Sequence, residues 1–270
     1  MKYWFDVYRV NLRVAWALMM QYRFSTLIWA VWGFVGPLIS LAVWTAAGAS
    51  RQGIISNRGQ SFDASAFAAY FLLYMIFSHL TMSWDVYEFS WRVRTGSLSP
   101  QLLRPLHPIH ADAAFNMAFK VLTGTVLMPA WIVLFLLLRP TLPSGISVAL
   151  AVPALILAGV TRYVWQYALA VVAFWTTRVD AINQLYYVLD SFLAGRIAPI
   201  ALMPAWLAAV SRHTPFYGMG AFPVEIALGR VPLGEALAGM LSQLMWLVAG
   251  VLVFRIMWSW GVKQYSAVGA

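Results

Sequence analysis

Five separate stretches of this chain run almost free of charge: Phe24 to Gly48, Ala64 to about Val86, Ala113 to Leu138, Gly145 to Trp175 and Glu235 to about Trp258. Each reaches the length of about 20 apolar residues that an α-helix needs to cross ~30 Å of hydrocarbon. In lipid every backbone polar group must be satisfied within the protein, so such stretches become helices. The chain is 62% hydrophobic and 10% charged, whereas a soluble domain carries about 45–50% apolar and about 25% charged residues. A soluble core of this size could not absorb that surface. The fold class expected is therefore all-α integral membrane, in a single domain over residues 1–270.

Residues 181–234 are less regular. The apolar parts, roughly 185–195 and 197–210, are short, and Gly195, Arg196, Pro199 and Pro204 punctuate them. Irregular backbone at membrane depth is tolerated where it is buried in protein or lines a cavity. The pattern predicts an irregular fifth span followed by a re-entrant hairpin on the outer side, which brings the count to six spans. Spans 1–2 then occupy 24–87, spans 3–4 occupy 113–180, and span 6 occupies 235–260.

Ahead of the first span, Lys2, Asp6, Arg9 and Arg13 recur at helical spacing on one face, with Phe5, Tyr8, Leu12, Ala15, Met19 and Tyr22 on another. That arrangement suits a helix over 1–23 lying in the membrane interface; a frayed lead-in to the first span is the other reading. The recurring charges do not fit the apolar core of a cleavable signal, so the segment is expected to be retained.

Orientation follows from basic residues. With both termini inside, eleven fall on the inner side: Lys2, Arg9, Arg13, Arg23, Arg92, Arg94, Arg104, Lys120, Arg178, Arg255 and Lys263. Six fall outside: Arg51, Arg58, Arg139, Arg196, Arg212 and Arg230. A multi-pass protein of the plasma (inner) membrane with cytoplasmic termini is expected. The net charge of +9 belongs to this bias, and without basic runs it does not point to nucleic acid.

The polar segment 88–112, EFSWRVRTGSLSPQLLRPLHPIHAD, then faces the cytoplasm. Gly96 is placed to end a helix whose last turn holds Arg92 and Arg94, cations that suit the negative end of the helix dipole. Ser99 and Pro100 read as N-cap and first residue of a short helix, and Pro105 ends it. Asp112 then starts the third span. Leu98, Leu102, Leu103 and Leu106 are expected to be exposed, as a surface that wants a partner.

Several chemistries are missing. No G-x-x-x-x-G-K-[ST] occurs, and Lys2, Lys120 and Lys263 are the only lysines, so no phosphate-cradling loop is present. Neither H-E-x-x-H nor G-x-S-x-G occurs, and without cysteine there is no disulfide or thiolate site. His107 and His110 flank Pro108 and are read as structural rather than as metal ligands. Arg162 and Asp190 lie within spans, where charge is costly; they either pair structurally or lie near a translocation path. Glu88 and Arg92, four residues apart, suit a helical pair. Most aromatics suit interfacial belts, while Tyr163, Trp165 and Tyr167 either pack or line a path and stack on a flat cation.

The run TGSLSPQLLRPL (95–106) resembles the G-x-L-x-x-L-L-x-x-P segment between the second and third spans of ABC-2 type transporter permeases. GRIAPIALMPAW (195–206), TPF (214–216) and FPVEIALG (222–229) are similar to the outer re-entrant region of that family, although Arg196 stands where an apolar residue is usual. Within the family the chain looks most like the daunorubicin- or viologen-type exporter permeases. The resemblance implies a permease subunit that pairs with a second copy or a paralogue and docks on a separate ABC ATPase, which would carry ATP and Mg²⁺. No cofactor is implied on this chain itself, and membrane lipid is its remaining partner. It further implies an ATPase-coupling segment at Gly96, Leu98, Leu102, Leu103, Arg104 and Pro105, and an outer re-entrant region marked by Gly195, Pro199, Pro204, Pro215 and Phe216. The substrate would be amphipathic, drug-like or lipid-linked. A membrane scaffold or immunity protein on the same fold is the alternative, and a membrane enzyme would need an acid–base or metal constellation that the sequence does not display.

Overall fold

The computed structural model describes residues 2–48, 54–56, 59–141, 143–176 and 179–265; Arg51, Arg58 and Arg178, counted above, lie outside them. Helix α1 (Lys2–Gln21) lies along the third long helix, α6 (Pro108–Leu138). Ala15 and Met19 are buried there against Ala118 and Phe119, with Leu12 beside them, while Arg9 and Arg13 stay exposed. The Tyr8 hydroxyl hydrogen bonds His110 Nδ1 at 3.0 Å. Phe5 and Tyr22, on the apolar face read from the sequence, are exposed rather than packed on the protein.

Helix α2 (Arg23–Ala47) leads to a feature not anticipated: β1 (Ile54–Ile55) and β2 (Ser61–Phe62) form a two-residue antiparallel ribbon within the expected polar loop. The ribbon docks through Phe62, which is buried with the Arg230 guanidinium 3.7 Å from its ring centre. A ribbon this short carries too little alternation to be read from sequence.

Helix α3 (Ala64–Thr81) opens with the Asp63 carboxylate accepting from the Ala66 N–H at 2.8 Å, a side-chain N-cap. It opens the most enclosed of the five long apolar segments, with Phe67, Tyr70, Phe71, Tyr74 and Met75 all buried. The expected single span breaks at Met82 and resumes as α4 (Asp85–Arg94). At the break the Ser83 hydroxyl donates to Asp85 Oδ2 at 2.5 Å. Such short-range side-chain bonds give the chain an alternative to continuing the helix. Helix α5 (Ser99–Leu102) follows, and α6 begins at Pro108, four residues ahead of the expected Asp112. Proline suits a first helical turn because its missing N–H would have no partner there.

Helix α7 (Gly145–Val171) continues into a tight turn over 172–174 and is the central strut, touching α3, α4, the short helices over 215–219 and 221–227, and the last long helix. Then come α8 (Val179–Leu193), α9 (Ala205–Arg212), α10 (Pro215–Met219), α11 (Ala221–Ala227) and α12 (Leu233–Gln264). At 31 and 32 residues, α6 and α12 are about 45 Å long at 1.5 Å per residue, longer than a bilayer core. Among the described residues, five helical segments are long and apolar enough to cross a membrane: Arg23–Ala47, Ala64–Arg94, Pro108–Leu138, Gly145–Phe174 and Leu233–Gln264. Residues 181–234 contribute no such helix; α8 with its 15 residues spans only about 22 Å.

Candidate functional site

Two regions concentrate the polar chemistry, an elbow between α4 and α6 and a cavity lined by the bundle. The elbow is built around Arg92 in the last turn of α4. Its guanidinium grips Asp112 with both forks, Nη1 to Oδ1 at 3.0 Å and Nη2 to Oδ2 at 2.6 Å, and Nη1 also donates to Gln101 Oε1 at 2.8 Å. The Tyr167 hydroxyl donates to the same Asp112 Oδ2 at 2.8 Å, and the Tyr163 hydroxyl to the Ile109 carbonyl at 2.7 Å. One arginine thus ties α4, α5, α6 and α7 together. The two-pronged geometry is what an arginine offers a carboxylate and a lysine cannot. The Glu88–Arg92 pair expected from spacing gives way to this longer-range one, and Glu88 is exposed.

Gly96 has φ +73°, the left-handed conformation that lets the chain turn back so that the Leu98 N–H reaches the Arg92 carbonyl at 3.2 Å. The turn carries Leu98 inward, and here the expectation of a leucine surface is corrected. Leu98 is fully buried among Val86, Phe89, Tyr167 and Val171, and Leu102 and Leu106 are half-buried. Only Leu103 stands out, 88% exposed, followed by exposed Arg104 and Pro105. Ser99 is not the cap of α5 either: Leu98 holds that position, Pro100 comes second in the helix, and the Ser99 hydroxyl hydrogen bonds the Tyr265 hydroxyl at 3.0 Å. The need to bury Leu98 outweighs the preference for a serine cap, because a cap contributes about 1 kcal/mol and a buried leucine about 2.

His107 caps α6, its Nδ1 accepting from the Ile109 N–H at 3.1 Å, with its ring 4.1 Å from that of Trp258. Burial, with the neighbouring His110 adding to it, pushes the His107 pKa down to about 4, so the ring is neutral at pH 7. Arg94 meets Asp180 at 3.6 Å, but both are well exposed, and such a pair contributes little.

The second region is a partly open cavity of about 990 Å³ lined by α1, α2, α3, α4, α6, α7 and α8. Trp29, Tyr74, Trp84, Phe119, Trp131 and Tyr187 supply much of its apolar wall. Arg162 and Asp190 supply the polar wall, as an ion pair at 2.7 Å whose side chains are only 8% and 3% exposed. Arg162 Nη2 also donates to the Met219 carbonyl at 3.0 Å, so the pair joins α7, α8 and α10. Tyr163, Trp165 and Tyr167 do not line this cavity. The Trp165 indole donates to the Trp246 carbonyl at 3.1 Å, and all three rings are committed to packing.

Past the end of α8 the chain reverses at Gly195, with φ +76°. The Tyr70 hydroxyl donates to the Gly195 carbonyl at 2.9 Å, and the Trp44 indole to the Ile197 carbonyl at 2.6 Å. Pro199 and Pro204 precede the short turn at 200–202 and helix α9, Pro215 begins α10, and Phe216 packs on Tyr186 at 5.3 Å. A β-carbon at 195 would collide with the Tyr70 hydroxyl and with Ala221 Cβ. Gly195→Ala is therefore expected to destabilise by at least about 2 kcal/mol, since left-handed backbone alone costs a residue with a side chain about 1–2. A fall in the melting temperature of the detergent-solubilised protein is the measurement.

Sequence reasoning placed Arg92, Arg162 and Asp190, but gave Asp112, Gln101 and Tyr167 no role at the elbow. The only local signal for Asp112 was an acidic residue beside a helix start. Its partner lies 20 residues away, beyond any helical periodicity.

The molecule belongs to the class of predominantly helical, multi-pass membrane proteins, with a polar elbow between its second and third long segments and a cavity lined by the bundle. Its family is now definite: the chain belongs to the ABC-2 family of transporter proteins, whose family model matches residues 56–269. The match starts within the ribbon, just after β1, and leaves α1, α2 and β1 outside. No curated protein matches the chain.

Proposed function

We propose that this chain is the permease subunit of an ATP-driven exporter, moving an amphipathic, drug-like or lipid-linked substrate out of the cytoplasm. The elbow carries the reading. Leu103, Arg104 and Pro105 project from a segment that is clamped by Arg92 and Asp112 to α6 and α7. A push on an exposed leucine mounted this rigidly moves a central helix rather than a slack loop. That same helix bears Arg162 on the cavity wall. ATP and Mg²⁺ belong to a separate ABC ATPase, and a second permease, identical or paralogous, completes the transporter.

In this reading both termini and the elbow lie on the cytoplasmic side of the inner membrane, and α1 rests in the interface. Helices α8 to α11 make an irregular fifth crossing with a re-entrant stretch on the outer side, around Pro199, Pro204, Pro215 and Phe216, giving six crossings. The daunorubicin- or viologen-exporter subgroup fits the motifs at 95–106 and 195–206.

Co-purification with the ATPase followed by vesicle efflux tests the proposal. Leu103→Asp is expected to leave the permease folded, because the side chain is 88% exposed, and to weaken ATPase association about tenfold or more. Leu98→Asp, which buries a charge among Val86 and Phe89, is expected to prevent folding instead. Unchanged association in Leu103→Asp would overturn the coupling role. ATPase binding without any ATP-dependent efflux across a panel of dyes, drugs and glycolipids would favour the scaffold reading.

A further inference from the structure

The cavity is not electrically neutral along its length. Two arginines and two carboxylates touch it: Arg162, Arg196, Asp190 and Glu88. Asp190 is committed to Arg162 at 2.7 Å in a buried pair, so those charges cancel locally. Glu88 belongs to α4, at the elbow end, and is exposed. Arg196 lies past the opposite end of α8, just beyond Gly195, and has no acidic or hydrogen-bonding partner among the described residues. It is partly buried. A partly buried guanidinium without a counter-ion offers an anionic group a charge-assisted contact.

Three further polar atoms on the same wall lack hydrogen-bond partners among the described residues: the donors Arg162 Nε and Trp131 Nε1 and the acceptor Gln166 Oε1. Arg162 as a whole is only 7% exposed. The two donors want an oxygen. The remaining wall is aromatic and aliphatic, with Trp29, Tyr74 and Met75 among its members. A volume of about 990 Å³ is at the upper end of pockets that hold a drug-sized ligand. The cavity therefore offers an apolar chamber whose charges are set apart, the Glu88 carboxylate toward the elbow and an unpaired Arg196 beyond Gly195, and at the Arg196 end it complements an amphiphile with an acidic head.

We propose that this cavity binds an amphiphile bearing a single anionic group, a carboxylate or phosphate, with its oxygens against Arg196 and its apolar body among the aromatic side chains. Two sources share that chemistry, an anionic membrane lipid and a free amphiphilic acid. The inference rests on the permease reading and gives it a substrate class. A flat organic cation has no free carboxylate at the Arg196 end.

The full chain, purified in neutral detergent and placed in nanodiscs of phosphatidylcholine, is titrated with a dibrominated stearate. Bromine quenches tryptophan at contact, and Trp29, Trp84 and Trp131 line the chamber. Saturable quenching is expected, weakened about tenfold in Arg196→Gln and largely retained in Arg196→Lys, while a brominated alkyltrimethylammonium of equal length fails to compete. Melting temperatures of both variants confirm that they fold. Competition by phosphatidylglycerol in the nanodisc identifies a lipid occupant, and its absence identifies a free acid; either supports the proposal. Equal binding of the cation, an unchanged affinity in Arg196→Gln, or partitioning that never saturates, as when a second copy of the chain fills the space, would overturn it. The titration needs no ATPase. Failed binding beside intact ATP-driven efflux therefore removes only this inference, whereas intact binding with no efflux removes the permease reading.

Discussion

Asp190→Ala is expected to be the most damaging single substitution away from the apolar core, destabilising by about 3–5 kcal/mol, because it leaves Arg162 charged and buried with no counter-ion. Arg162 is 7% exposed and Asp190 2%, so neither regains more than part of its hydration. The loss should also loosen α10, since Arg162 holds the Met219 carbonyl at 3.0 Å. Arg162→Met should lose a similar amount for the mirror-image reason, with an isolated carboxylate left behind. The informative variant is the double one, Arg162→Met with Asp190→Leu. Apolar replacement of both members of a buried pair is often neutral or stabilising, so the double variant should recover most of the lost melting temperature. If the pair only locks α7, α8 and α10 together, efflux by the reconstituted transporter should recover with it. A double variant that melts normally but does not transport would assign the pair to the translocation path.

Asp112→Ala is expected to cost about 3 kcal/mol and to uncouple the ATPase from the membrane helices. The carboxylate accepts from both forks of Arg92 and from the Tyr167 hydroxyl, and its removal strands a guanidinium whose side chain is 11% exposed. Charge-assisted hydrogen bonds of this kind contribute about 1.5–3 kcal/mol each, and unpaired charge adds to the loss. Arg92→Lys separates geometry from charge: it keeps the cation and gives up the fork, so a smaller loss of about 1–2 kcal/mol is expected. Melting temperature measures the first effect. The second is read as ATPase activity that persists in the complex while efflux falls. Efflux and ATP hydrolysis that both stay at wild-type level in Asp112→Ala would mean that the elbow transmits force without this clamp.

Hydropathy located two of the five long segments closely and missed an end of each of the other three, Ala64–Arg94, Pro108–Leu138 and Leu233–Gln264, by about five to eight residues. The ends of Arg23–Ala47 and Gly145–Phe174 lie within a residue or so of the stretches read from sequence, because an apolar run, a proline and a glycine each act over a few residues. Gly96 is legible for the same reason: a helix must end somewhere after Arg92 and Arg94, and glycine enters the left-handed region without a steric penalty. The break at Met82 was not legible, since Met82-Ser83-Trp84 contains no strong helix breaker and the Ser83–Asp85 bond that accompanies it is a matter of side-chain geometry. Nor was the inward turn of Leu98, because a leucine in a polar loop looks exposed until its neighbours from α4 and α7 are in place.

The sequence by itself determined the solvent, the number of long apolar segments and the bends that a glycine or proline marks, since these depend on composition and on interactions within a turn or two. Only the tertiary structure decided which charge meets which. Arg92 chose Asp112 over the nearer Glu88, Arg162 found Asp190 across two helices, and Arg196 was left facing the cavity without a partner. The physical reason is that an ion pair forms where two side chains are brought together out of water, and helix packing sets that position through contacts among residues far apart in the chain.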